Sequence, residues 1–402
     1  MADTPLPPLH NIRVVDLTRI IAGPLCTMML ADLGADVIKI EPPARGDDSR
    51  EMKPPEAGGE SSLYLSANRN KKSVALDIRT DAGREIVFEL AAKCDILIEN
   101  FRPGTTTRLG IDYATVSERY PHLIYCSVSG YGQSGPMATR GGLDPVLQAE
   151  TGMMSINGDP DGDPLRHPLP LSDITTAHYA TQAILAALLS RHTSGRGQHI
   201  DLALFDVAIA TMLNFNQHYL VTDENPLRLG NEHPSAVPVA LFKTQTGPFY
   251  MALANDRLFA TLCEKVIDRP DIVQDAKFTT NTARVTNREA LMDLLNAVFA
   301  RDTRENWLRQ LMDAGLPAGA VRTVAESLSA PEVLARGMLT RVPHPTAQTL
   351  RLVNSPVRFS ETPVTTPVAP PLLGQHTEAV LQELLSYDWE AIQRLREAKV
   401  IA

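Results

Sequence analysis

Short Val- and Ile-rich runs alternate with longer stretches of helically spaced apolar residues from the start of the chain to about residue 220. Ile12–Leu17 predicts a buried strand, broken at Ala22-Gly23-Pro24. Pro24 suits the first turn of a helix running to about Leu33, Gly34 suits its C-cap, and Asp36–Ile40 predicts a second strand. Such a strand–helix–strand unit belongs to a parallel sheet, which binds ligands beyond the carboxyl ends of its strands. The same alternation predicts strands at Ser73–Ile78, Asp95–Glu99, Leu123–Val128 and Gln198–Ala203, and helices at Asp81–Lys93, Asp173–His192 and Leu204–Leu220. The implied class is α/β, a parallel sheet with helices on both faces.

The rhythm changes near Asn225. Val237–Lys243 and Pro248–Ala254 flank Thr246-Gly247 as a hairpin, and mostly helical segments follow to about Leu328. This predicts a large α/β domain over 1–225 and a smaller α+β domain over 226–330. Residues 331–402 carry irregular strands, the proline-rich stretch Thr362–Pro371, and helices at Thr377–Ser386 and Asp388–Ala398.

Composition narrows the function classes. The 402 residues exceed one small core. No apolar run approaches a membrane span, and MADTPLPPLHN is not a signal peptide, so a cytoplasmic protein with no membrane partner is expected. A net charge of −9 argues against coating nucleic acid, yet leaves room for a small anionic ligand, which depends on local charge. Cys26, Cys94, Cys126 and Cys263 show no CxxC or metal spacing and read as buried reduced thiols. His199, His218, His233 and His344 have no ligand spacing either, so no metal is expected.

The glycine fingerprint GxGxxG and the P-loop are both absent, which argues against a standard dinucleotide site. Two Gly-rich turns, after Phe101 and around Tyr131, fall where strands end and a ligand can approach the backbone. Arg102 and Arg108 flank the first. Arg69, Lys71, Lys72 and Arg79, with Arg45 and Arg50 upstream, read equally as a solvated basic face or as an anion site. Asp173 follows the extended run His167–Ser172 and opens a long helix. It reads as an N-cap or as a nucleophile, and the two are compatible, since a carboxylate at a helix start stays ionised. There is no GxSxG and no HExxH.

Several blocks together resemble the class III CoA-transferases, the group of formyl-CoA and carnitine-CoA transferases, with the related α-methylacyl-CoA racemases. They are Asp16–Pro43, Asn68–Asp77, Glu99–Gly110, Ile124–Pro136, Asp173–Tyr179, Thr193–Gln198 and Leu373–Glu378, and they run nearly end to end. The resemblance implies a Rossmann-like large domain built from both chain ends, with 331–402 returning to it, and a threaded small domain in an interlocked homodimer. It implies transfer of CoA from an acyl-CoA to a carboxylic acid through a covalent aspartyl-CoA thioester, with no tightly bound cofactor. The nucleophile falls on Asp173, and an acidic residue supporting the thioester chemistry falls on Asp144. CoA contacts fall on Ala22, Leu76, Arg79, Asn100, Phe101 and Arg108.

The chain departs from the family pattern at three places. Ala177 stands where many members have Gly, Leu143 stands where an aromatic is usual, and Gly230–Ser235 replaces the glycine loop of formyl-CoA transferase. A racemase needs an acid/base pair, and Leu143 occupies the position of its His, which leaves that alternative without a proton acceptor. A non-catalytic CoA-binding dimer is the other alternative, and it would not need Asp173. His233–Pro238 and NRNKKS look most like the branch that uses dicarboxylates, with succinyl-CoA and glutarate-like or hydroxymethylglutarate-like acids.

Overall fold

A computed structural model describes residues 5–402. Six strands form one sheet: β1 (Arg13–Asp16), β2 (Asp36–Glu41), β3 (Lys71–Ala75), β4 (Ile96–Glu99), β5 (Ile124–Ser129) and β6 (His199–Ala203). Every pairing is parallel, in the order β3-β2-β1-β4-β5-β6. This is the doubly wound order whose direction reverses between β1 and β4, opening a crevice at their carboxyl ends. Leu, Ile and Val fill both faces, as a sheet covered on both sides requires.

Helix α1 (Ala22–Asp32) packs on one face through Ala22, Cys26 and Leu30. It meets the long helix α4 (Leu171–Ser194), which contributes Ala177, Ala180, Ile184 and Ala187 to the same core. Ala177 is fully buried in this helix contact. The opposite face is covered by α2 (Asp81–Ala91) and by the end of the chain. The short helix α3 (Asp144–Glu150) lies between β5 and α4 in sequence.

The predicted elements recur with shifted bounds. Strand β3 ends at Ala75; Leu76 N–H still donates to Glu41 O at 2.8 Å on β2, and Leu76 also bridges to Ile401. The helix expected over Leu204–Leu220 breaks into α5 (Leu204–Thr211) and α6 (Asn214–Thr222), where Leu213 takes φ +38°.

The chain divides into two compact units. The first contains the residues up to Met153, Arg166–Thr222 and Glu332–Ala402; the second contains Met154–Leu165 and Asp223–Pro331. In the second, β7 (Val239–Lys243), β8 (Pro248–Ala252) and β9 (Ala318–Ala320) form an antiparallel sheet around Phe242, Phe249, Phe299 and Trp307. The last segment of the chain returns to the first unit: Asp77 N–H donates to Val400 O at 2.8 Å, and Thr377 Oγ1 accepts from Ala75 N–H at 3.0 Å. Among the described residues no helix is long and apolar enough to cross a membrane.

Candidate functional site

Where the strands end, a cavity of about 450 Å³ opens over the carboxyl edge of the sheet. Its walls come from the turns after β1, β2, β3 and β4: Leu17 and Arg19, Pro42 and Arg45, Leu76 and Arg79, Phe101 and Arg108. The lining is mixed, apolar beneath and guanidinium at the rim. Arg79 is exposed and paired bidentately with Asp77, at 2.8 and 2.7 Å. Arg108 donates to Thr105 Oγ1 at 3.2 Å. Arg19 lies over the Phe101 ring at 5.1 Å and reaches Asp48 at 3.2 Å. Such a rim suits phosphate oxygens, and the apolar floor suits a pantetheine-like chain or a purine.

The turn between β1 and α1 has no glycine to relax it, and Ile20 takes φ +70°. That conformation is costly for a β-branched residue and persists only when its surroundings impose it. They do. Asp47 accepts from Ile20 N–H at 3.0 Å, while Asn100 accepts from Arg19 N–H at 2.9 Å and donates to Arg19 O at 2.8 Å. Asn100 is therefore spent on the turn and is not among the cavity's walls. Ala22 is buried in the first turn of α1, also outside the lining.

Beneath the turn lies a lattice of buried charges. Lys39 reaches Asp47 at 2.8 Å and Thr18 O at 2.7 Å. Lys71 reaches Asp16 at 3.1 Å, Pro24 O at 2.8 Å and Asn68 at 2.9 Å. Burial opposes the charge on both partners, but Lys71 and Lys39 still hold Asp16 below its ordinary value, while Lys71 itself falls to about 8. Arg50 forks onto Glu41 at 2.7 and 2.8 Å and lies 3.7 Å over the Tyr64 ring; Arg69 pairs with Asp32. The basic cluster thus resolves differently from either sequence expectation. Arg50, Arg69 and Lys71 are neither a solvated face nor an anion site but interior struts, because buried carboxylates from other elements fold against them. Only Arg45 and Arg79 of that cluster line the cavity.

Asp173 lies in the first turn of α4, which begins at Leu171 after Pro170. It is the third helical residue, so the N-cap expectation is corrected: its side chain makes no cap bond. The cap comes from α3. Asp144, buried, accepts from Ser172 N–H at 2.8 Å and from Gln148 Nε2 at 2.7 Å. Gln148 also accepts from His167 N–H at 2.9 Å, which ties down the extended run before α4. Gln148 had no sequence signal except its position one turn after Asp144. Burial, with the like charge of Asp144 beside it, raises Asp173 to about 7. The expectation of a carboxylate firmly ionised at the helix start therefore gives way to one poised at neutral pH. Neither Asp173 nor Asp144 lines the cavity, whose apolar floor belongs to the sheet face opposite the one on which α4 packs.

Leu143 is exposed at the start of α3 and contributes no ring. Gly130 and Gly142 meet backbone to backbone, an approach that a Cβ at either would block by contact at 2.5–2.6 Å. All four cysteines are buried, and burial pushes the Cys26 and Cys263 thiols up to about 12. Among the described residues no cluster of His, Cys, Asp and Glu has metal-holding geometry.

Residues 9–377 match the model of CoA-transferase family III. The chain is 41% identical to the succinyl-CoA:glutarate CoA-transferase of Mus musculus, over 98% of this chain and 90% of that protein. It is 38% identical to the succinate–glutarate CoA-transferase of Agrobacterium fabrum, over 96% and 98% respectively. A CAIB/BAIF family protein from Brucella suis superposes with a TM-score of 0.85 at 37% identity, covering 95% of this chain and all of that one.

Proposed function

The chain belongs to CoA-transferase family III, and from that premise we propose that it moves CoA from succinyl-CoA or a similar donor to a dicarboxylic acid, with Asp173 as the nucleophile. One observation supports the reading: a buried carboxylate in the first turn of α4 is raised to about 7, in a chain whose sheet also carries a cavity with a guanidinium rim. The substrate class rests on the succinate–glutarate relatives.

The chemistry follows from what a carboxylate does to a thioester. Asp173 attacks the acyl carbonyl, forming a mixed anhydride and releasing CoA thiolate. The thiolate attacks the aspartyl carbonyl, which frees the donor acid and leaves an aspartyl-CoA thioester. The acceptor carboxylate attacks that thioester, regenerating an anhydride and thiolate, and the thiolate then takes the acceptor's acyl group. Asp173 returns unchanged. Asp144 positions the nucleophile by fixing the first turn of α4, and its negative charge keeps Asp173 basic enough to attack. The cavity residues Leu76, Arg79, Phe101 and Arg108 hold CoA; Asn100 acts one step back, through the Arg19 turn, and Ala22 through the start of α1. The interlocked homodimer belongs to the same reading.

The test is a donor–acceptor panel, mono- and dicarboxylates against several acyl-CoAs, read by mass spectrometry. Asp173→Ala and Asp173→Asn should fold, bind CoA and lose transfer by several orders of magnitude. Hydroxylamine should modify wild-type Asp173 only when an acyl-CoA is present. Near-normal transfer by Asp173→Ala would put the nucleophile elsewhere, and a racemase would exchange the α-proton of a 2-methylacyl-CoA without any acceptor acid.

A further inference from the structure

The cavity floor and α4 belong to opposite faces of the sheet, so an acyl-CoA held in the cavity crosses the carboxyl edge to reach Asp173. The turn after β4 touches both sides. Phe101 packs with the core of the cavity face and lines the cavity. Arg102, the next residue, does not line it. Its guanidinium instead covers Gly141, with Nη2, Nε and Cζ at 3.0, 3.1 and 3.2 Å from where a Cβ on that glycine would stand. The adjoining Gly142 meets Gly130 just beyond β5 and faces Leu147, which belongs to the core shared with α4. Gly141 is three residues before Asp144, at most about 11 Å of chain. Asp144 in turn accepts from Ser172 N–H, beside Asp173. The charges differ as well. Arg19 and Arg45 share Asp48, and Arg79 has Asp77. Arg102 is exposed, and among the described residues its side chain has no hydrogen bond and no ion pair. An exposed arginine is ordinarily a solvated charge. This one is seated on a glycine, with its charge unspent.

We propose that Arg102 reads the second carboxylate of the dicarboxylic acid and so sets the substrate class; the proposal rests on the reading of Asp173 as nucleophile and of the acids as dicarboxylates. A guanidinium offers a planar fork of N–H donors that matches a carboxylate bidentately, and it stays charged at every working pH. One carboxylate of the acceptor attacks the aspartyl-CoA thioester. The other keeps a full negative charge, which is costly to hold near the buried Asp144 without a counter-ion. Arg102 supplies that counter-ion and makes or breaks no covalent bond. A monocarboxylic acid of the same length presents a methyl group there and gains nothing from the charge. The backbone that carries Arg102 is fixed: Thr105 N–H donates to Arg102 O at 3.0 Å, and Gly104 takes φ +83° to close the turn. Seat and turn together hold the fork in place before the acid arrives, which lowers the ordering cost of binding it.

The acceptor meets the same aspartyl-CoA thioester whatever the donor, so kcat/KM for the acid isolates the second half-reaction. The experiment measures it for glutarate and for pentanoate, which has the same chain without the second carboxylate, using succinyl-CoA as donor. Calorimetry gives the Kd of free CoA alongside. Arg102→Gln should lower the glutarate-to-pentanoate ratio roughly 10- to 100-fold and leave the Kd of CoA unchanged. Arg102→Lys keeps the charge without the fork and should recover part of the ratio. Gly141→Ala leaves Arg102 in the chain but sets a Cβ against its guanidinium. The end of a flexible side chain gives way there, so the fold survives and the ratio should fall several-fold. A ratio unchanged in Arg102→Gln, or glutarate and pentanoate reduced alike, would overturn the proposal. A weakened Kd of CoA with the ratio intact would also overturn it, and would give Arg102 to the phosphates. A wild type with no preference for glutarate refutes the dicarboxylate reading and the proposal with it; a wild-type preference that survives Arg102→Gln refutes the proposal alone.

Discussion

At the scale of single residues, Asp173 shows how activity and stability pull apart. Its carboxyl titrates near 3.8 in the unfolded chain and near 7 in the folded one. Between these values the unfolded state sheds a proton that the native state keeps, so the unfolded state binds fewer protons and stability falls as pH rises. The loss begins above about 4, is complete above about 7, and amounts to roughly 2–4 kcal/mol. Asp173→Asn removes that penalty. Its melting temperature should match wild type near pH 4 and exceed it by several degrees at pH 7.5, and equal melting curves across that range would refute the raised pKa. Sequence marked this residue because a lone Asp after an extended run and before an Ala-rich helix is conspicuous. It left Asp144 to be identified by resemblance, and it assigned the cap to the wrong carboxylate. Which side chain caps a helix from outside depends on where α3 packs, and no local pattern encodes that.

At the scale of elements, the β1–α1 turn was legible as a break and illegible as a device. The periodicity of Ile12–Leu17 and the Gly23-Pro24 step predict strand, turn and helix, and those elements are present. What holds the turn is not local. Lys39 and Asp47 come from β2 and the loop after it, Lys71 from β3, and Asn100 from the end of β4. Each is spent on a turn that a glycine-rich loop would form without help. Removing one partner of a buried pair leaves the other charge stranded, at a cost of about 3–5 kcal/mol. Lys71→Met should therefore destabilise the protein by about that amount and weaken CoA binding with it. Lys71→Met combined with Asp16→Asn should recover much of the stability, because no unpaired charge remains. A Lys71→Met variant as stable as wild type in urea titration would show that the lattice is idle.

At the scale of the whole molecule, the hydrophobic pattern reaches beyond the cores it fills. Helix α4 buries its Ala-rich stripe against α1 but leaves Leu189 73% exposed, with Tyr179 and Leu185 on the same helix also open. The segment after α5 does the same with Leu213, Leu220 and Val221, at 76, 71 and 69%. Isolated apolar side chains on a surface need no explanation, but this many on helical segments consecutive in sequence is what the proposed homodimer would require of a covered face. In sequence these residues were indistinguishable from core positions, since periodicity records which face is apolar and not what covers it. A second copy of the chain is the occupant that the proposed interlocked homodimer supplies. An interlocked pair cannot separate without opening a protomer, so its dissociation should not follow ordinary mass action. Mass photometry at nanomolar concentration should therefore still count two chains per particle, and the urea unfolding midpoint should coincide with loss of the dimer. Leu213→Asp and Leu220→Asp together should reduce the yield of folded protein rather than release a stable monomer, because helices shaped to be covered would be left in water. A folded monomer carrying full transferase activity would sink the interlocked arrangement while leaving the Asp173 chemistry standing.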